Sequence, residues 1–253
     1  MARWTGRGSA SRALDASTVR GVSGEAAQTL VQKLLETGID GRGPFESARA
    51  VAAAALAAHP DPERAVRAVI SRHLRLASAS GFVTSLGGFV TMPVALPANV
   101  TGFYLLATRM TAAVAAIRGH DIDDRAMRTA VLLSLVGADA EEVLRKAGLR
   151  SPVGRLTSLA GDRLPGPALV VVNKAVGFRI LATAGKDVFA RFGKAVPVVG
   201  GAVGAGLDAY LMSRLAEHAK EEFPPAARQI TGSSREPEAG AVASKPGVDP
   251  QEP

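Results

Sequence analysis

The amino-acid sequence predicts an all-α fold, a helical bundle built around a glycine-rich apolar helical hairpin, with disordered N- and C-terminal tails. Three observations lead to this prediction. Apolar residues recur with the period of an amphipathic helix over most of residues 24–223. Residues 76–108 form a central run of 33 residues without a charge. No unit of 20–50 residues repeats, so a solenoid is not indicated.

Composition divides the chain into three parts. Residues 1–23 read as a flexible basic arm, residues 24–223 as one helical domain, and residues 224–253 as a disordered tail containing Pro, Gly, Ser and Glu.

The chain has no cysteine, which excludes disulfides, thiolate metal sites and cysteine nucleophiles. The net charge of +7 favours an anionic partner, which is a nucleic acid, an acidic lipid surface or an acidic protein.

The helices before the charge-free run are marked by periodicity and by caps. We expect a first helix over about 25–37, ended by Gly38, and a second from Pro44 to Ala58. Asp61 is suited to cap a long helix that reaches about Thr91. Within the hairpin, the prolines predict a turn at 92–97 and a second arm over 98–117.

Four further helices are predicted after the hairpin. Asp123 or Asp124 caps the first of them, and a short helix covers about 138–147. After a less regular region, Pro167 begins a helix whose Val-Val-Val centre is the one plausible strand in the chain. The last helix begins at Pro197 and ends near Phe223, before two prolines.

Glycines at helical spacing predict places where two helix backbones approach closely. Gly81 and Gly88 lie in the hairpin, and Gly200 and Gly204 form a GxxxG pattern in the last helix. A phosphate-binding loop would need a preceding strand, and a P-loop would also need a Lys-Ser/Thr pair. Neither is present around residues 200–206, so we interpret these glycines as packing positions.

Polar residues suited to catalysis or metal binding are sparse. The run His120–Asp124 is read as a capped loop between helices rather than a metal site, and no metal or cofactor is predicted. No serine-hydrolase, kinase or P-loop signature is present. Asp208 stands alone in the apolar start of the last helix and is a candidate buried anchor, with Asn173, Lys174 or Arg109 as its partner.

A basic stretch between residues 145 and 194 holds ten Lys or Arg residues against two acids. An ordinary solvated face and contact with an anionic membrane surface both account for it, and nucleic-acid binding ranks last, because no aromatic stacking platform is evident. The candidate lipid-surface residues are Arg179, Lys186, Arg191 and Lys194.

Two segments resemble the EcsC family of bacterial proteins. One runs from Leu96-Pro97-Ala98-Asn99-Val100-Thr101 through Gly119-His120-Asp121 to 128–137, and the other from Gly193-Lys194-Ala195-Val196-Pro197 through Asp208 to Phe223. In that family a proline-led apolar helix runs into a Gly–Asp turn, and the closing helix starts with Lys-x-x-Pro-x-x-Gly. The resemblance covers about residues 60–223. It transfers no catalytic residues, and Asp208 stands where family members often have Asn.

We therefore expect a non-catalytic helical domain in the cytoplasm, at the inner face of the cell membrane, that binds an acidic lipid surface or a membrane protein. One alternative is a soluble cytosolic scaffold whose hairpin is fully buried. Another is a lipid-handling enzyme, for which the sequence offers no nucleophile–base pair. The sequence does not indicate an oligomeric state.

Overall fold

The computed structural model describes residues 24–86, 88–137, 140–146, 156, 166–192 and 197–226, without the side chains of 84–99, 146, 182–192, 197–201 and 203. Eight α-helices lie in these ranges: α1 Gly24–Lys33, α2 Ala48–Ala58, α3 Pro62–Leu86, α4 Gly88–Ile117, α5 Arg125–Ser134, α6 Ala140–Lys146, α7 Gly166–Phe192 and α8 Pro197–Glu222. A π-helix, Leu34–Ile39, continues α1. The described ranges contain no strand, so the all-α prediction is confirmed. The predicted arm 1–23 and most of the predicted tail lie outside them.

Short polar side chains set the starts of three helices. The Ser47 hydroxyl accepts a hydrogen bond from the backbone N–H of Ala50 at 3.1 Å. Asp61 accepts from the N–H of Arg64 at 3.2 Å, and Asp124 accepts from the N–H of Met127 at 2.8 Å. The predicted caps at Asp61 and Asp124 are confirmed. The predicted start of the second helix at Pro44 is wrong, because the Ser47 cap begins the helix three residues later.

The predicted hairpin turn at residues 92–97 is also wrong. α3 ends at Leu86 and α4 begins at Gly88, so Pro93 and Pro97 lie inside α4. A proline removes one hydrogen bond from a helix and bends it, but it need not end it. The two successive glycines at 87 and 88 mark the boundary instead, since glycine loses the most backbone freedom in a helix.

Three long helices, α3, α4 and α8, form the centre of the bundle. α4 packs against both α3 and α8, and also contacts α2, α5 and the π-helix. The buried face of α4 includes four alanines, Ala107, Ala112, Ala113 and Ala115, none of which is exposed. Such small side chains let the surrounding helices lie close to α4. α7 is set to one side, against α1, α5 and α6.

The α3–α8 interface contains a close approach of the two helices at Gly81. A Cβ atom placed on Gly81 would lie 2.6 Å from Oδ2 of Asp208 and 2.7 Å from the carbonyl oxygen of Gly204. Real Cβ atoms do not approach so closely, so only glycine fits at this position of α3. A similar contact joins α7 to α1, where a Cβ on Gly177 would lie 2.4 Å from the carbonyl oxygen of Ala27.

Arg118, just beyond α4, joins the end of α4 to the start of α3 and the end of α8. Its side chain is 8% exposed and forms an ion pair with Glu63, in the first turn of α3, at 3.0 Å. Its Nη1 donates to the carbonyl oxygens of Lys220 and Phe223 at 2.7 Å, which satisfies two acceptors at the end of α8. The carbonyl oxygen of Arg118 accepts from the N–H of Ala226 at 2.8 Å. Residues 224–226, the predicted start of the tail, therefore follow the bundle surface.

These contacts give the central helices their directions. The start of α3, the end of α4 and the end of α8 meet at Arg118. Gly81 near the end of α3 meets Gly204 near the start of α8. Both α4 and α8 therefore run antiparallel to α3.

Replacing Gly81 by Ala should destabilise the protein by about 1–3 kcal/mol, because the new methyl group meets backbone that cannot move aside cheaply. Gly206→Ala is the matched control on α8, since nothing lies within 4 Å of a Cβ at that position. The control should be neutral or stabilising by up to about 1 kcal/mol. Urea unfolding of both variants measures the difference. Equal stabilities would contradict the close contact.

Candidate functional site

One end of the central bundle brings together three helix segments that carry no charge. These are residues 76–86 of α3, 88–108 of α4 and 197–207 of α8. In sequence, the third segment is almost 90 residues away from the second. The antiparallel packing of α3 with α4 and α8 places all three at the end opposite Arg118. We call this part of the molecule the apolar end.

Large apolar side chains lie exposed on the apolar end and next to its base. They are Leu76, Phe82 and Val83 on α3, and Tyr210 and Leu211 on α8. Val83 is 67% exposed and Tyr210 is 60% exposed. Val83 lies two residues after Gly81, and Tyr210 lies two residues after Asp208. Each side chain is therefore rotated by about 200° around its helix from the contact between Gly81 and Asp208. They therefore point away from that contact in opposite directions, and the apolar surface extends around the helix pair.

Exposed arginines lie next to these apolar side chains, on the side toward Arg118. Arg72 is four residues from Leu76, and Arg214 is four residues from Tyr210, so each pair shares a helix face. Arg75 is exposed as well, and its Nε lies 3.3 Å from the carbonyl oxygen of Ser71. The surface thus changes from apolar to basic at one level along the bundle axis.

One helical segment in the described residues is long and apolar enough to cross a membrane by length and composition. It is Val100–Ile117 in α4, with a mean hydropathy of 1.4, and 67% of it is buried inside the protein. Burial of this kind is also found for the core helix of a soluble bundle, so the span by itself does not indicate membrane insertion.

Two buried ionisable side chains flank the charge-free run 76–108: His73 lies just before it and Arg109 directly after it. His73 on α3 is 1% exposed, and its Nδ1 lies 2.8 Å from the carbonyl oxygen of Val69. Burial lowers the pKa of His73 to about 4, against the effect of that hydrogen bond, and the charges of Arg109 and Arg72 lower it further. His73 is therefore neutral at pH 7.

Arg109, the first charged residue after the run, is 6% exposed. Its guanidinium carbon lies 5.1 Å from the centroid of the Phe45 ring, a cation–π distance. Burial lowers the pKa of Arg109 from its usual value, which the charge of Glu46 partly opposes. Nε and Nη2 of Arg109 are buried and have no hydrogen-bond partner among the described residues.

The predicted lipid-surface residues belong to α7 and to the segment that follows it. Arg179 is half-buried on α7. Lys186 and Arg191 also lie on α7, with side chains outside the described set, and Lys194 lies outside the described residues. Four residues separate the end of α7 from the start of α8, so the basic end of α7 lies within about 17 Å of the apolar end.

The structure brings two of the predicted packing glycines, Gly81 and Gly204, together, as described above. Gly88 is the first residue of α4 and Gly200 lies in the first turn of α8, both at the apolar end. The surroundings of Gly88 and Gly200 lie outside the described set.

The two residues of the predicted polar anchor lie at different helix interfaces. Asp208 is 9% exposed and lies against Gly81 of α3. Asn173 instead lines a depression between α1 and α7.

This depression has a volume of about 330 Å³. Its walls include Gln28, Glu36, Asp40, Arg128, Asn173 and Lys174. Nη1 of Arg128 donates to Asp40 at 3.0 Å, and Glu36 accepts from Gln32 and Arg42 at 2.7 Å each. The hydrogen bond to Asp40 raises the pKa of Arg128. Arg128 and Asp40 of the depression are thus paired with each other, and Glu36 is paired with Arg42 outside the depression.

No cluster of three or more possible metal ligands occurs among the described side chains. In the His120–Asp124 loop each polar side chain has a local role. His120 Nε2 lies 2.6 Å from the carbonyl oxygen of Pro224, and Asp121 accepts from the N–H of Asp123 at 3.0 Å. Asp123 pairs with Arg49, and Asp124 caps α5.

A comparison with protein-family models identifies a family for this chain. The model described as the EcsC protein family matches residues 25–224. The chain belongs to the EcsC protein family. The match extends the resemblance carried by the sequence motifs to the first helices. No curated protein and no solved structure matches the chain.

Sequence reasoning missed two features of this EcsC family protein. The exposed side chains of α8 could not be assigned to a face, because small apolar residues occur on every side of that helix before Asp208. The proximity of His73 and Arg109 was also missed. Glu63 of α3 lies opposite Arg118, and α3 and α4 run in opposite directions. Ten residues forward along α3 and nine residues back from Arg118 therefore bring residues 73 and 109 to the same level.

Stability should fall as the pH falls from about 6.5 to about 4, because His73 binds a proton more readily in the unfolded chain than in the fold. Between pH 7 and pH 5 this residue alone should account for a loss of about 2 kcal/mol. Urea unfolding of the wild type and of His73→Met at both pH values isolates its share from that of the carboxylates. An identical loss in both proteins would contradict the burial of a neutral His73.

Proposed function

We propose that this EcsC family protein is a non-catalytic, peripheral membrane-binding domain. In this proposal the apolar end enters one leaflet of an acidic membrane, while the end around Arg118 stays in water. The observation that supports it most directly is the convergence of three charge-free helix segments at one end of the bundle, with large apolar side chains exposed on them and next to them. Exposed apolar surface of this kind marks an interaction site.

The charge-free parts of α3 and α8 fit the depth of a single leaflet. The charge-free parts of α3 and α8 are each 11 residues long, or about 16 Å at helical rise. The hydrocarbon core of a bilayer is about 30 Å thick, so one leaflet offers about 15 Å. Entry to that depth leaves Arg72, Arg75 and Arg214 at the level of the lipid headgroups.

The basic residues around the apolar end favour acidic lipid. Arg75 and Arg214 lie exposed at its base, and the sequence from Lys186 through Arg191 to Lys194 leads into α8. Each basic side chain near an acidic surface contributes about 1 kcal/mol. The cytoplasmic leaflet carries such lipids, so we place the protein at the inner face of the cell membrane. A membrane protein with an acidic surface is the second partner that fits this charge.

A soluble scaffold is the competing function, and the burial of two thirds of Val100–Ile117 is the observation that favours it. In that case the apolar end is covered by protein rather than by lipid. The two functions differ in whether vesicles bind the isolated protein.

Val83→Glu should abolish or strongly weaken flotation with vesicles that contain phosphatidylglycerol, because it places a charge inside the region that enters lipid. Val171→Glu is the matched control, an exposed valine on α7 at 49% exposure, near the helix end farther from α8. The control should bind like the wild type. Binding of the wild type should weaken with added salt and with neutral vesicles. Equal binding of Val83→Glu and Val171→Glu would contradict the proposed orientation.

The chain should enter and leave the membrane on the same face. A cysteine replacing Ala95, near the start of α4, is the sole thiol in this cysteine-free chain. In intact cells an impermeant thiol reagent added outside should leave it unlabelled, whereas the same reagent should label it after denaturation of the protein. Labelling from outside would show that the apolar end crosses the bilayer.

A further inference from the structure

Arg109 is a buried cation without a full counter-charge. It keeps 6% of its surface exposed, and two of its three guanidinium nitrogens have no hydrogen-bond partner among the described residues. A buried charge left in this state carries a large free-energy penalty, which a bound anion would remove. The ring of Phe45 covers the guanidinium at 5.1 Å but accepts no hydrogen bond from Nε or Nη2.

The neighbouring side chains leave one positive charge uncompensated. Glu46 is the acid that acts on Arg109, but its carboxylate also accepts a hydrogen bond from Nη2 of Arg72 at 2.8 Å. His73 is neutral, and its Nδ1 contacts the carbonyl oxygen of Val69. Two arginines therefore share one carboxylate.

The two unpartnered nitrogens indicate what kind of anion would fit. Nε and Nη2 lie on the same edge of a guanidinium and donate two parallel hydrogen bonds. This fork matches two oxygens of a phosphate group. A halide would have to accept both hydrogen bonds at one atom, whereas a phosphate group offers each donor an oxygen of its own.

We infer that Arg109, beneath Phe45, is a binding site for the oxygens of a phosphate group at the base of the apolar end. Phe45 is itself 44% exposed and lies in the short segment between the π-helix and α2, with Gly41 and Gly43 nearby at positive φ. In this inference, phosphate reaches the fork when this exposed ring shifts. The phosphate can come from a lipid headgroup or from solution, and the lipid source rests on the proposed function.

The first arm of the test measures melting temperature against inorganic phosphate at constant ionic strength, with chloride as the replaced ion. The wild type should show a saturable rise. Arg109→Met should show none, and its melting temperature without phosphate should equal or exceed that of the wild type, because a buried unpaired charge has been removed. Arg109→Lys keeps the charge without the fork and should lose most of the rise. Arg64→Gln is the control, since Arg64 is 73% exposed on α3.

The second arm measures binding to phosphatidylglycerol vesicles. If the headgroup is the source, Arg109→Met should bind at least about tenfold more weakly, the loss expected for hydrogen bonds to a charged group, while Arg64→Gln stays within about twofold. A response in the phosphate arm alone would assign the site to soluble phosphate.

The inference is overturned if phosphate leaves the wild type unchanged and Arg109→Met binds vesicles like the wild type. A lower melting temperature of Arg109→Met without phosphate would also count against it, because Arg109 would then stabilise the fold as it stands. If the wild type binds no vesicles, the proposed membrane function fails, while the phosphate arm still decides on the site.

Discussion

The close contact between α3 and α8 is the constraint on which the arrangement of the molecule depends. Gly81 lets the backbone of α8 approach to a distance that any side chain would prevent. This contact, together with the ion pair between Glu63 and Arg118 at the other end, makes the central helices antiparallel neighbours. Their charge-free segments then meet at one end although they lie far apart in the sequence. The same contact turns Val83 and Tyr210 outward.

The two ends of the bundle are held together by different interactions. At the Arg118 end, one guanidinium satisfies the last carbonyl groups of α8 and pairs with the first turn of α3, so hydrogen bonds and charge fix the geometry. At the apolar end, the packing of small residues replaces them. A polar end suits water, and an uncharged end suits either lipid or a covering protein. This division along one axis gives the domain a direction relative to a surface.

Between the ends, His73 and Arg109 introduce ionisable groups into a tightly packed region. Burial favours the neutral form of both, and the histidine yields to it whereas the arginine stays charged at neutral pH. A chain selected only for stability would place apolar side chains at such positions. The retained charge, at the level where the surface changes from apolar to basic, is therefore more readily explained by binding than by folding.

Local chemistry in the sequence determined the helical class, the caps at Asp61 and Asp124 and the limits of α8, because each depends on residues within a turn or two. The motifs that indicated the EcsC family are likewise local. The predicted boundary between α3 and α4 was wrong, since proline bends a helix without necessarily ending it. Only the tertiary structure decided which face of α8 meets α3, that Asp208 and Asn173 lie apart, and that Nε and Nη2 of Arg109 are buried without a hydrogen-bond partner among the described residues. These features depend on helices that are far apart in the sequence. When Gly, Ala and Val occur on every side of a helix, its sequence does not indicate which face will be buried against a neighbouring helix.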